Sequence, residues 1–273
     1  MAERPERGLP DRRAKGLAGR VDDILAALAD QHGRLAGVVD GCRPTDWGRP
    51  TRCEGWDVAA VLLHLAQTDE LAAASARGEL DEHPHGFIGD PATRTRSVDE
   101  AAAAQVDVER EAGGERIRTR WHEASRDMRA TFDAGDPHRR VTWVSGQLSL
   151  HTLVATRLSE CWIHTDDIAS ALHVELAPTE GLRHIARLAW RTLPYAFDQA
   201  GATLHGPVAL DLFGPSGDRW RFDPEDAAST TIRGSAVEFC EVAARRVDPG
   251  ETELTGEGPD AAAVLQLVRT YAL

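Results

Sequence analysis

The feature that most constrains this chain is the period of its apolar residues. That period is helical from residue 21 to about 200 and becomes strand-like near residue 208. From Arg20 to Val39, the residues Val21, Ile24, Leu25, Leu28 and Leu35 recur on one helix face, and "DGCRP" ends the run. After a loop holding Trp47 and "PTRCEGW", Asp57 to Ala76 predicts a second helix with Val58, Val61, Leu62, Leu65 and Leu71 on a common face. Residues 81–95, rich in His, Pro and Gly, predict a surface excursion. Ser97 and Glu100 then form a capping box, each side chain satisfying a backbone donor of the other, and open a third helix. Gly113 and Gly114 predict a kink or restart in it before Trp121, Met128 and Phe132 continue the pattern. Ser149 caps a fourth helix to about His173, and Thr179 begins a fifth to about Ala200. Long helices that each carry one apolar face hide those faces most economically as a bundle.

Beyond residue 201 the pattern alternates. "PVALDLF", the turn residues "GPSGD" and "RWRF" predict a hairpin from Val208 to Phe222. "STTIRG" predicts a third strand, Ser235 to Arg246 a helix, "ETELTG" a fourth strand, and Asp260 to Tyr271 a last helix. The expected order is β-β-β-α-β-α, a small α+β unit. The predicted organisation is therefore a disordered tail over 1–20, a helical bundle over 21–200 and the α+β domain over 201–273.

Charge and composition exclude several classes of partner. A net charge of -13 and the lack of a dense basic stripe argue against nucleic acid, whose binders draw their affinity from clustered Lys and Arg. No stretch approaches the roughly 20 apolar residues that span a bilayer. The opening "MAERPERGLPDRRAKGLAGR" has no apolar signal-peptide core, so the expected location is cytoplasmic, with no membrane partner. Cysteines 42, 53, 161 and 240 show no CxxC spacing and are expected to be free thiols.

Within the fourth helix, "SECWIHTDD" places Glu160 and His164 four residues apart, hence on one face. Such a pair alone is more often a solvated ion pair than a metal site. On the second helix, His64 sits in "VAAVLLHLAQTDE" on a mostly apolar face, where a lone histidine is more often a satisfied core residue. Together the three change the balance, because bundle metal sites are built from side chains projecting inward from facing helices. Two imidazoles and one carboxylate leave a fourth zinc position open, as a catalyst requires.

At these residues the chain resembles the DinB-like superfamily and, within it, the mycothiol-dependent maleylpyruvate isomerase family of actinobacteria. The resemblance is carried by "CEGWDVAAVLLHLAQTDE", "RLSECWIHTDDIASAL" and "GSAVEFCEVAARR" with "LTGEGPDAAAVLQLVRTYA", and covers residue 21 to the end. The family's ligands, one histidine on helix two and an E-x-x-x-H pair on helix four, fall on His64, Glu160 and His164. The resemblance implies a DinB-like four-helix bundle followed by a sterol-carrier-like domain. It also implies a divalent metal, usually zinc, whose open position receives the thiol of mycothiol as a nucleophile for isomerisation or thiol transfer on a small electrophilic substrate. The excursion at 81–95 and the long third helix mark a divergent member. The residues leave two alternatives open: a zinc-water hydrolase or lyase-type cyclase on the same ligands, and a protein that binds metal or ligand without turnover.

Further residues join the candidate set. Asp167 shares the face of His164 and Glu160 and is a candidate to orient a ligand or act in catalysis. Arg157, three residues before Glu160, is placed to pair with it, the simpler reading, or with the thiol or a substrate carboxylate. Arg245 and Arg246 suit the C-terminal dipole of their helix. The matching family segment places an arginine near the active site, which implies a catalytic Arg245 and a cofactor-binding Arg246. Cys161 is expected to be a core thiol, and Trp56 and Trp162 to be structural.

Overall fold

The computed structural model describes residues 12–80, 97–144 and 146–270, and the expected excursion at 81–95 lies outside them. Helix α1 (Arg12–Val39) buries Ile24, Leu28, Leu35 and Val39 along the predicted face. It begins at Arg12, so that part of the expected tail is helical. Helix α2 (Val58–Arg77) starts at Asp57, whose carboxylate accepts from the Ala60 N–H, and stops at Gly78 with φ of 82°. Only a residue at ease in the left-handed region ends a helix this way without strain. The predicted third helix is broken. Helix α3 (Val98–Glu109) opens on the Ser97–Glu100 capping box, a 3-10 turn follows at Arg110–Ala112, and α4 (Gly114–Asp133) restarts after Gly113 at φ of 82°.

A short hairpin that the periodicity did not predict follows, formed by β1 (Arg140–Trp143) and β2 (Gly146–Ser149). It feeds α5 (Leu150–Ala171), capped by Ser149. The single helix expected from Thr179 to Ala200 is two: α6 (Leu182–Arg191) and α7 (Leu193–Gln199). Pro194 explains the break, because it has no N–H to donate back to the preceding turn. Helix α2 packs against α4 and α5, and α1 packs against the same two.

The remaining elements follow the expected order: β3 (Val208–Phe213), β4 (Arg219–Phe222), β5 (Thr230–Ser235), α8 (Ala236–Ala243), β6 (Thr255–Glu257) and α9 (Ala261–Leu267). In the sheet the order is β4-β3-β5-β6, with β3 and β5 parallel and the other neighbours antiparallel. Strand β6 is shorter than expected, since the Asp248 carboxylate accepts from Gly250 N–H and holds a 3-10 turn at Pro249–Glu251. Helix α9 ends at Leu267, ahead of the expected Tyr271, which lies outside the described residues.

One core runs from the helices into the sheet, through Leu28, Leu158, Leu188, Leu210 and Phe239; a second lies around Leu35, Leu62, Trp121 and Ile168. The Trp190 indole N–H donates to the Val208 carbonyl at 2.7 Å, tying α6 to β3. Among the described residues no helix is long and apolar enough to cross a membrane.

The restart at Gly113 and Gly114 gives a testable consequence. A Cβ at Gly114 would lie 2.1 Å from the Trp47 ring, itself 6% exposed and held by its N–H to Glu115. Gly114→Ala is therefore expected to cost about 2 kcal/mol or more, from overpacking that the buried indole cannot relieve. A urea titration measures it, and an unchanged midpoint would contradict the close approach.

Candidate metal centre

Two adjacent helices supply the centre. His64 projects from α2, and Glu160 and His164 project from α5, one turn apart. The helix pair is fixed beneath them by a buried ion pair. The Arg157 guanidinium donates to Asp69 at 2.9 and 3.2 Å and to the Thr68 hydroxyl at 2.9 Å. Thr68 in turn donates to the His64 carbonyl at 2.7 Å. This corrects the simpler reading of Arg157: its hydrogen bonds cross to α2 and not along α5 to Glu160. Burial pushes the Asp69 carboxyl up to about 6, against the Arg157 charge.

The three donors converge. Glu160 Oε2 lies 3.8 Å from His64 Nε2 and 3.7 Å from His164 Nε2, and the donor atoms of the three residues all lie within 4.8 Å of one another. Four-coordinate zinc with bonds of about 2.1 Å separates neighbouring donors by about 3.4 Å, so this spacing admits one such ion after a small contraction. The chemistry of the set fits as well. Burial pulls the His64 pKa down to about 4, leaving its imidazole neutral, as a ligand must be. Burial works against charge on Glu160, but the His64 hydrogen bond and the charge of His164 outweigh it and hold the carboxyl at about 2.

His164 is held from both sides. While Nε2 faces Glu160, its Nδ1 lies 3.0 Å from Asp167 Oδ2. Burial would lower its pKa, yet the bonds to Asp167 and Cys53 and the charge of Glu160 raise it to about 9. At that pKa the metal-free ring is an imidazolium; Asp167 holds the proton on Nδ1, and a cation would have to displace the one on Nε2, giving the arrangement by which a carboxylate fixes the tautomer of a metal-binding histidine. Asp167 is itself anchored, accepting from Arg246 Nε and Nη2 at 2.7 Å each and from Cys53 Sγ at 3.2 Å. Burial would raise its pKa, but the His164 and Arg246 bonds hold it far below the carboxylate range.

Cys53, His164 and Asp167 make a second cluster with metal-ligating atoms. It is the poorer cation site, because the Arg246 guanidinium already takes both Asp167 oxygens and would face the ion. The same pairing keeps Asp167 ionised and hydrogen-bonded behind His164. Arg246 reaches the site, whereas Arg245, at φ of 59°, forms the turn after α8 and does not line the cavity. Cys161 is buried, and burial raises its thiol to about 12. Trp162 packs against the core, and Trp56, expected to be structural, lines the cavity with its ring 5.1 Å from that of His64.

His64, Glu160 and His164 open onto a cavity of about 680 Å³. Residues that sequence reasoning missed complete it. Cys53 carries no periodic signal, as it reaches the site from a loop. The hairpin that brings Trp143 and Leu148 is too short to show alternation. Asp99 also faces the cavity, and burial with the Glu160 charge raises its pKa.

The chain is similar to known proteins in sequence and in fold. Residues 28–169 match the family model described as the mycothiol maleylpyruvate isomerase N-terminal domain. Two uncharacterized proteins of Mycobacterium tuberculosis, from strains CDC 1551 / Oshkosh and ATCC 25618 / H37Rv, are each 30% identical over 259 residues, covering 91% of this chain and 95% of the relative. The crystal structure of the mycothiol-dependent maleylpyruvate isomerase superposes with a TM-score of 0.56 at 17% identity, covering 88% of this chain and 95% of that one. A histidine-to-alanine mutant of that enzyme gives the same values. At that identity the likeness is one of fold, mixed helix and sheet.

Replacing His64, Glu160 or His164 by Ala is expected to remove stoichiometric metal while far-UV circular dichroism stays unchanged. Elemental analysis checks this, and full zinc occupancy in both His64→Ala and His164→Ala would overturn the assignment. Asp167→Asn, which takes the anion from behind His164, is expected to weaken metal affinity by about 10- to 100-fold.

The metal-free protein has a further signature in pH. His64, depressed to about 4, contributes stability that is full above 6.5 and is lost as pH falls through 4. His164, raised to about 9, contributes stability that is full below 6.5 and is lost as pH rises through 9. Chelator-treated protein is thus expected to lose the His64 contribution on the acid side and the His164 contribution on the alkaline side. Denaturant titrations of the His64→Ala and His164→Ala variants, compared with the parent across pH, read each separately.

Proposed function

The chain belongs to the mycothiol maleylpyruvate isomerase family, and from that membership and the open ligand set we propose that it is a metal-dependent enzyme using mycothiol as an activated nucleophile. The observation that carries the reading is the convergence of two imidazole nitrogens and one carboxylate on a single point at the wall of a large cavity. We assign His64, Glu160 and His164 as ligands of one divalent ion, zinc in this reading. Bound there, the ion supplies Lewis acidity that lets a thiol lose its proton near neutral pH.

The chain's own residues do the rest. Asp167 accepts from His164 Nδ1 and keeps Nε2 directed at the ion. Arg246 holds Asp167 ionised, and its guanidinium lies in the cavity wall. The Trp56 ring covers His64 and limits water. A thiolate held in this cavity adds to a conjugated double bond of a small electrophile. Rotation and expulsion of the thiol give isomerisation; retention of the thiol with uptake of a proton at the neighbouring carbon, or displacement of a leaving group, gives transfer.

In the same reading, residues 21–200 form the DinB-like four-helix bundle that holds the ligands, and residues 201–273 form a sterol-carrier-like domain. That second unit closes one side of the cavity with Arg246 and Arg269. Pockets favour such junctions between units.

Calorimetry of the zinc-loaded protein with mycothiol, in buffers of different ionisation heat, tests the thiol. Binding is expected to release a proton and to tighten as pH rises toward the thiol's ordinary value of about 8.5. Activity that persists without mycothiol, together with a titration showing neither binding nor proton release, would favour the water-activating alternative. Metal binding without turnover would favour a binding protein.

A further inference from the structure

Away from the ligand triad, the cavity holds a cation with no counter-charge among the described residues. Of the arginines in its wall, Arg157 is paired with Asp69 and Arg246 with Asp167. Arg269 differs. Its side-chain hydrogen bond is a single Nε donation to the Leu267 carbonyl at 3.3 Å, which leaves both Nη groups without a carboxylate among the described residues. The adjacent residue, Thr270, also lines the cavity, is 6% exposed, and has a hydroxyl without a hydrogen-bond partner. An unmatched buried hydroxyl is destabilising, and a bound acceptor would relieve it.

The segment is also positioned. Helix α9 closes with the Val268 N–H on the Val264 carbonyl, and Thr192 Oγ1, at the turn between α6 and α7, lies 3.2 Å from the Arg269 carbonyl. The rest of the wall is mostly apolar, with Trp143 and Leu148 from the hairpin, Ile163 from α5 and Leu188 from α6.

We propose that Arg269 and Thr270 form a carboxylate subsite, and that the substrate is an electrophile with an anionic end held there and an apolar body lying against Trp143, Leu148, Ile163 and Leu188. Guanidinium and hydroxyl together offer a planar carboxylate two or more charge-assisted hydrogen bonds. A volume of about 680 Å³ exceeds what a two- or three-carbon acid fills, and the apolar walls favour a ring or chain in the remainder. The inference rests on the proposed enzyme reading for calling the occupant a substrate; the subsite itself rests on the unmatched donors.

Cinnamate, an aryl-conjugated acid, and its neutral isostere cinnamamide are the probes, titrated calorimetrically into the full-length, metal-loaded protein. Cinnamate is expected to bind about tenfold or more tightly than the amide, as a charge-assisted bond requires. That preference should vanish in Arg269→Gln, persist in part in Arg269→Lys, fall severalfold in Thr270→Val and survive in His64→Ala. Thr270→Val removes a hydroxyl that bonds to nothing in the structure, so it keeps the test alive if Arg269→Gln fails to fold. No preference in the parent protein, or one untouched in both Thr270→Val and Arg269→Lys, would overturn the subsite. A preference lost only in His64→Ala would overturn it too, placing the carboxylate on the metal. The two readings fail separately. Absent thiol-linked proton release with the cinnamate preference intact removes the thiol and leaves the subsite, and the reverse removes the subsite alone.

Discussion

The centre depends on one buried charge. Asp167 is fully shielded from solvent, and an ionised carboxylate there persists only if its lone pairs are met. Arg246 meets two from the C-terminal segment, His164 one from the same helix, and the loop after α1 sends Cys53 and Arg52, the latter at 3.4 Å. Three separate parts of the chain are therefore pinned at one point behind the ligand triad. Moving any of them would leave a buried anion short of partners, which typically costs about 3–5 kcal/mol for a broken buried pair. The orientation of His164 follows from this constraint, and so does the attachment of the C-terminal unit to the helices.

A second buried pair does the same for the helices themselves. Arg157 and Asp69 are each 1% exposed and join α5 to α2 one turn from the ligands. Asp69 Oδ2 and His32 Nε2 remain without partners 3.9 Å apart, and burial lowers the His32 pKa to about 3. The polar layer thus fixes the register in which His64 meets Glu160, a specificity that packing of leucine and alanine on α2 would not provide alone. Against a fully apolar interface it adds little stability, and its effect is to select one geometry.

How much of this was legible in the sequence follows from where each residue sits. His64, Glu160 and His164 lie on long helices with strong apolar periods, where spacing fixes direction, and the triad could be named from spacing together with family resemblance. The α+β order was legible because β3, β4 and β5 are short segments of strand-forming residues bounded by turn residues; β4 alternates cleanly, whereas β3 is buried along nearly its whole length. Partners across elements were not. Nothing local distinguishes a bond from Arg157 to Asp69 from one to Glu160, since both carboxylates lie within reach of a long side chain. Cys53 sits in a loop with no period, and the four-residue strands of the β1–β2 hairpin are shorter than alternation needs. Pro194 did carry a signal, a missing donor within an expected helix, and the break at Thr192 follows from it.

The division of labour has a consequence for specificity. The triad stands on two helices whose relative position is locked by the buried Arg157–Asp69 pair, and rigid elements hold donor atoms more accurately than loops do. The cavity wall opposite comes from short or terminal pieces: the β1–β2 hairpin, the α6–α7 turn and the chain beyond α9. A fold built this way holds the His64, Glu160 and His164 cluster on its helices and leaves most of the facing cavity wall to its periphery. Under the proposed reading, activation would be set by the helix-borne cluster, while the choice of substrate would be set by the wall residues, here Trp143, Leu148, Arg269 and Thr270.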